Sequence, residues 1–135
     1  MCGMNAVRSP MAELLARRML PSDIFISSAG VHAGERDPFV DVVLEEEGLS
    51  LGEHEPRSVD DIEDAYFDLI ITLSPQAHHM AMEFTRTMAV DVEYWPTFDP
   101  TAITGTREQR LTAYREVREH LKERIAKRFP ARSTP

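Results

Sequence analysis

A chain of 135 residues, 42% hydrophobic and 28% charged, has the size and balance of one domain with a real core. No apolar run approaches a membrane span, and the N-terminus lacks the basic-then-apolar layout of a signal peptide. A formal net charge of −8 argues against nucleic acid as a partner, and a single cysteine permits no internal disulfide, which points to a reducing cytoplasm.

The chain opens on Cys2-Gly3-Met4-Asn5-Ala6-Val7-Arg8-Ser9 and runs directly into Pro10-Met11-Ala12-Glu13. The residues between thiol and guanidinium, Gly3, Met4, Asn5, Ala6 and Val7, can wrap so that their N–H groups converge on an oxyanion. Asn5 tolerates the left-handed backbone that such a tight loop needs. Pro10 suits a first helical position, so a helix is predicted over residues 9–20, its positive end facing the same anion. Arg8 offers a planar fork to two anion oxygens, which a lysine cannot imitate. Ser9 can donate a hydrogen bond to the thiolate. The pattern is that of a cysteine nucleophile beside a bound tetrahedral anion, with neither metal nor cofactor required.

Residues 24–28, Ile-Phe-Ile-Ser-Ser, read as a short strand ending at an Ala29-Gly30 turn. Asp37-Pro38 opens a second helix that stops at Gly48. Residues 67–73 read as a buried strand, after which Ser74-Pro75 starts another helix. A further strand over residues 90–95 leads into Pro96-Thr97-Phe98-Asp99-Pro100. The last helix begins at Thr106, with Gln109 in the capping-box position, and carries Leu111, Tyr114, Val117, Leu121 and Ile125 along one face as core. One domain over residues 1–129 is expected, with 130–135 a disordered tail. Alternating helices and short apolar runs favour an α/β layout with a parallel sheet. In such a sheet a nucleophile loop follows a buried strand, yet only Met1 precedes Cys2, so a native start upstream of Met1 is expected. His78 and His79 are adjacent and would diverge on a helix, while His32, His54 and His120 are scattered, so no metal centre is expected.

From Cys2 to about Phe129 these residues resemble the low-molecular-weight protein tyrosine phosphatase superfamily, which also includes arsenate reductases of the same fold. The resemblance makes Cys2 the nucleophile, Arg8 the anion-binding arginine and Ser9 the hydroxyl that stabilises the thiolate. Asn5 and Ser28, in Ser28-Ala29-Gly30, match positions that hold the loop in shape. Asp99, in Asp99-Pro100, matches the general acid; on the residues alone it reads equally as a turn aspartate before proline. The implied fold is a three-layer α/β structure, a four-stranded parallel sheet flanked by helices, with its first strand truncated here.

The implied activity is phosphomonoester hydrolysis through a cysteinyl-phosphate. The alternatives are arsenate reduction with an external thiol or glutaredoxin, and a catalytically idle oxyanion-binding domain. The expected partners are accordingly a phosphorylated substrate or an oxyanion such as phosphate or arsenate, with an external thiol for the second reading, and no membrane. Two departures bear on the choice. The phosphatases usually wall their slot with aromatics where this chain has Thr101 after Pro100 and Val31-His32-Ala33-Gly34 after the serine turn. Thioredoxin-coupled reductases carry a resolving cysteine where this chain has Ser74, and a serine cannot relay a disulfide.

Overall fold

Three of the described α-helices begin where a side chain satisfies one of their first amides. The computed structural model describes residues 2–4, 8–32, 37–50, 52, 67–86 and 89–129, with the backbone alone for Cys2–Met4, Val31, His32 and Phe84. Helix α1 spans Arg8–Met19, α2 Pro38–Glu45, α3 Pro75–Phe84 and α4 Arg107–Arg128. Asp37 caps α2 by accepting from the amide of Phe39, and Ser74 caps α3 by accepting from Ala77, each with proline next in the chain. At α4 the capping box is complete: Gln109 N donates to Thr106 Oγ1 at 3.2 Å, and Thr106 N donates to Gln109 Oε1 at 2.8 Å. After α2 the chain turns through Gly48 at φ +73°, a conformation that favours glycine, as the expected stop at that residue required.

Four strands are present among the described residues: β1 Cys2–Met4, β2 Gly30–His32, β3 Leu69–Thr72 and β4 Asp91–Tyr94. They form two parallel pairs. Cys2 lies opposite Gly30 and Met4 opposite His32 in the first, and Leu69 opposite Asp91 through Thr72 opposite Tyr94 in the second. No ladder joins the pairs among the described residues; α3 lies against all four strands and bridges them. Parallel pairs with helical connections make this an α/β fold, as expected. The first strand is a three-residue piece that coincides with the start of the cysteine motif, so it offers few ladder positions.

The strand expected over residues 24–28 does not form, and β2 begins instead at Gly30. Ile24 and Phe25 are 46% and 72% exposed, so the apolar residues that suggested a strand face outward. The carbonyl of Ile26 is taken by Arg17 Nη2 at 2.8 Å rather than by a neighbouring strand. The tail after residue 129 lies outside the described residues.

The apolar stripe of α4 is buried as its spacing predicted, with Leu111, Tyr114, Val117, Leu121 and Ile125 all in the core. Against it pack Met11 and Leu15 of α1 and Val40, Val43 and Leu44 of α2, with Leu73 and Trp95 from the ends of β3 and β4. Each fully buried aliphatic side chain stabilises the fold by roughly 1.5–3 kcal/mol relative to an exposed one. Tyr114 brings a hydroxyl into this core and donates it to Asp37 Oδ2 at 2.6 Å. Burial and that carboxylate push the phenol above its ordinary pKa. No helix among the described residues is long and apolar enough to cross a membrane.

A charged clasp fastens the end of α2 to α4. Glu46 receives Arg115 at 2.8 Å and Arg118 at 2.7 Å, and Glu47 receives Lys122 at 2.6 Å. Hydrogen bonds from Arg115 and Arg118 lower the Glu46 carboxyl from 4.5 to about 2. A depressed folded pKa means stability that is complete above about 4.5 and is lost as the pH falls through about 2. With Glu46 35% exposed, solvent screens much of that contribution. Glu46→Gln is therefore expected to lower the urea midpoint slightly at pH 7, the gap from wild type narrowing between about pH 4.5 and about pH 2. Equal midpoints at pH 7 would show that the Glu46 pairs add nothing.

Candidate active site

The start of α1 carries Arg8 and Ser9, and hydrogen bonds from these two residues reach Thr97 and Ala29. Cys2, Gly3 and Met4 form β1, and its register sets Cys2 beside Gly30 at the start of β2. Asn5, Ala6 and Val7 lie outside the described residues. Arg8 is the first residue of α1, followed by Ser9 and Pro10, both buried. Helix entry at this point turns the positive end of the helix dipole toward the motif, so the motif leads into an anion-favouring helix end.

Two serines tie α1 to the segment before β2. Ser9 Oγ donates to the carbonyl of Ala29 at 3.4 Å. Ser28, 5% exposed, donates from Oγ to Glu13 Oε1 at 2.8 Å. Glu13 is itself 3% exposed and pairs with Arg17 at 3.5 Å. A carboxylate taken out of water needs such partners. Sequence reasoning passed over Glu13, although a signal existed: it falls four residues after Ser9 and three after Pro10, on the same helical face. Ser28 thus ties the segment before β2 to α1, one turn beyond the motif.

Arg8 joins the motif to a distant segment. Its Nη1 donates to the carbonyl of Thr97 at 2.8 Å, across 89 positions of sequence. Thr97 is 7% exposed and stands two residues before Asp99. Beyond the β3–β4 ladder the chain stays fastened: Trp95 N donates to Thr72 O at 2.8 Å, and Thr97 N donates to Leu73 O at 3.1 Å. Trp95 is held by its own indole, which donates to Glu93 Oε1 at 3.2 Å, and Arg124 sits 5.2 Å from its ring. The Arg128 hydrogen bond keeps Glu93 below the ordinary carboxylate range, so that acceptor stays charged.

Asp99 caps a 3₁₀ turn, Pro100–Ala102, and packs beside α4 through that turn. Its Oδ1 accepts from Thr101 N at 3.0 Å and from Thr101 Oγ1 at 2.7 Å, and the residue is solvent-exposed. The structure therefore brings Arg8 to the segment that carries Asp99, and Cys2 to the β2 start that Ser28 and Ser9 flank. His78 belongs to the framework: it hydrogen-bonds Thr72 Oγ1 through Nδ1 at 3.1 Å and stacks on Tyr94 at 4.8 Å, while His79 is exposed. Ser74 is spent on capping α3.

Comparison with known proteins places the fold in a family. A family model described as low molecular weight phosphotyrosine protein phosphatase matches residues 1–131. The arsenate reductase of Bacillus licheniformis is 32% identical over 130 residues, spanning 96% of this chain and 91% of that protein. An arsenate reductase solved in its phosphate-binding state superposes with a TM-score of 0.76 at 25% identity, over 93% of this chain and 90% of that one. The tyrosine phosphatase Wzb of Escherichia coli K30, solved with sulphate, shares the fold, with a TM-score of 0.74 at 24% identity over 95% of this chain and 91% of that one. With a match that runs almost end to end and a cysteine-to-arginine motif at the mouth of α1, the chain belongs to the low molecular weight phosphotyrosine protein phosphatase family.

Proposed function

We propose that this enzyme hydrolyses phosphomonoesters through a cysteinyl-phosphate, with Cys2 as nucleophile, Arg8 as oxyanion clamp and Asp99 as acid and then base. The observation that carries the reading is the bond from Arg8 to Thr97, which fastens the motif helix to the segment bearing Asp99. An alkoxide or phenoxide leaving group needs a proton, and an acid on a separate loop beside the anion clamp supplies one.

In the first step Cys2 Sγ attacks phosphorus as the P–O bond to the leaving group breaks, and Asp99 gives its proton to that oxygen. In the second, water attacks the cysteinyl-phosphate, its proton passes to the Asp99 carboxylate, and the S–P bond breaks to return thiolate and inorganic phosphate. Gly3, Met4, Asn5, Ala6 and Val7 would supply the inward amides, with Ser9 steadying the thiolate and Ser28 the loop. A free thiol titrates at about 8.5, and loop amides, a helix end and an arginine together lower it to about 5–6, so the thiolate dominates at neutral pH. A reducing compartment would keep the lone cysteine in that form.

A second reading has its own support. The Bacillus licheniformis relative is an arsenate reductase, and arsenate is a tetrahedral oxyanion of the same charge and shape class as phosphate. With one cysteine in the chain the resolving thiol would have to come from outside. Cys2 would displace water from arsenate, and an external thiol would attack Cys2 Sγ. The S–As bonding pair would then pass to arsenic, giving arsenite and a mixed disulfide that a second thiol reduces.

Two assays on the wild-type protein separate the readings: p-nitrophenyl phosphate turnover at mildly acidic pH, and arsenite release from arsenate with glutathione, mycothiol or glutaredoxin. Turnover in the first without thiol-dependent arsenite in the second is the expected result. Arsenite release without phosphate ester turnover would replace the first reading by the second. Phosphate binding with neither activity would leave an oxyanion-binding domain.

A further inference from the structure

Thr97 has all three of its polar groups engaged, each with a different part of the chain. Its N–H donates to the carbonyl of Leu73, just past β3, at 3.1 Å. Its Oγ1 donates to the carbonyl of Trp95, just past β4, at 2.9 Å. Its own carbonyl receives Arg8 Nη1, from the start of α1, at 2.8 Å. The residue is 7% exposed, so these bonds form where water competes weakly.

Pro96 has no amide hydrogen to give, which makes Thr97 the first residue past Trp95 able to fasten the chain through its own N–H. Downstream, Asp99 is held by Thr101 at the head of the 3₁₀ turn, and Pro100 fixes the backbone there. A single residue, Phe98, separates the two fastened points. The location of the Asp99 carboxylate relative to Arg8 is therefore set on its upstream side by Thr97.

We propose that Thr97 is a positioning residue that sets the Asp99 acid against the anion held by Arg8, an inference that rests on the phosphomonoesterase reading above. Its hydroxyl closes the Trp95–Thr97 turn, that turn aims the Thr97 carbonyl at Arg8, and the same peptide leads to Asp99. Without the hydroxyl the carbonyl loses its fixed direction, and the acid segment drifts relative to the clamp. Protonation of a poor leaving group suffers first, because it depends on the acid being within hydrogen-bond reach.

The test compares kcat/KM for phenyl phosphate, which needs the proton, with that for p-nitrophenyl phosphate, which needs it much less. Thr97→Val is expected to lower kcat/KM for phenyl phosphate about tenfold more than for p-nitrophenyl phosphate. Competitive inhibition by inorganic phosphate should stay within about twofold of wild type, since the loop amides and helix end are untouched. Thr97→Ser, which keeps the hydroxyl, should restore the wild-type ratio of the two substrates. Thr97→Ala is read in parallel, so that misfolding of the valine protein would not remove the comparison. An equal loss on both substrates, or no loss, would overturn the assignment of Thr97 and leave the phosphomonoesterase reading standing. A folded wild-type protein silent on both esters would overturn that reading and the role of Thr97 with it.

Discussion

Cys2→Ser is expected to bring p-nitrophenyl phosphate turnover down to background, a loss of at least about 10⁴-fold, while leaving inorganic phosphate bound. The argument is one of ionisation. A serine hydroxyl stays protonated across the working pH range, and nothing at the start of α1 is proposed to take its proton. On the proposed mechanism a cysteine in the same place would need no base, because the site that holds the phosphate would also stabilise the thiolate. The two functions would share the donors proposed above: loop amides, the end of α1 and Arg8. Binding should therefore survive the substitution that abolishes chemistry, and calorimetric titration with phosphate measures that half directly. The rate of alkylation by iodoacetamide supplies the other half, rising with a midpoint at about pH 5–6 in wild type. Turnover persisting in Cys2→Ser would remove Cys2 from the mechanism. A midpoint near the ordinary thiol value of about 8.5 would mean that the donors are not aimed at the sulfur.

What the sequence disclosed about the fold tracks how local the cause is. The caps at Asp37, Ser74 and Thr106 were readable because donor and acceptor lie within three residues of each other. The α4 stripe was readable because one helix face repeats with a fixed period. The segment over residues 24–28 was misread for the opposite reason. Ile24 and Phe25 look like strand residues, but a strand exists only if a neighbour accepts its ladder, and β1 pairs with Gly30–His32 instead. Phe25 stacks on Phe67 at 6.1 Å, a contact between residues 42 positions apart that periodicity cannot announce.

The site divides along the same line. Cys2 through Ser9 is one contiguous motif whose chemistry follows from residue types and their order. Ser28 and Asp99 came forward through resemblance alone, since a serine before alanine-glycine and an aspartate before proline are ordinary turn residues. Glu13 was legible in principle, as a carboxylate one helical turn from Ser9 on α1. Thr97 was not legible at all: its importance lies in a main-chain carbonyl, which every residue has, and in an arginine 89 positions away.

Asp99→Asn is expected to lower kcat/KM for phenyl phosphate by about 10²–10³-fold, with phosphate inhibition within about twofold of wild type. The substitution is informative because it isolates the proton. An asparagine carbonyl oxygen can still accept from Thr101 N and Thr101 Oγ1, so the 3₁₀ turn over Pro100–Ala102 keeps its cap and the segment keeps its place beside α4. The Arg8 bond to Thr97 is upstream and unaffected. What disappears is an acid able to protonate the leaving oxygen and a base able to take a proton from water. If Asp99 does both, the loss should grow as the leaving group becomes more basic, and the limb of the pH profile set by acid deprotonation should vanish from kcat/KM. If it serves only as the N-cap of the turn, Asp99→Asn should be nearly silent while Asp99→Ala is damaging, because alanine alone removes the acceptor from Thr101.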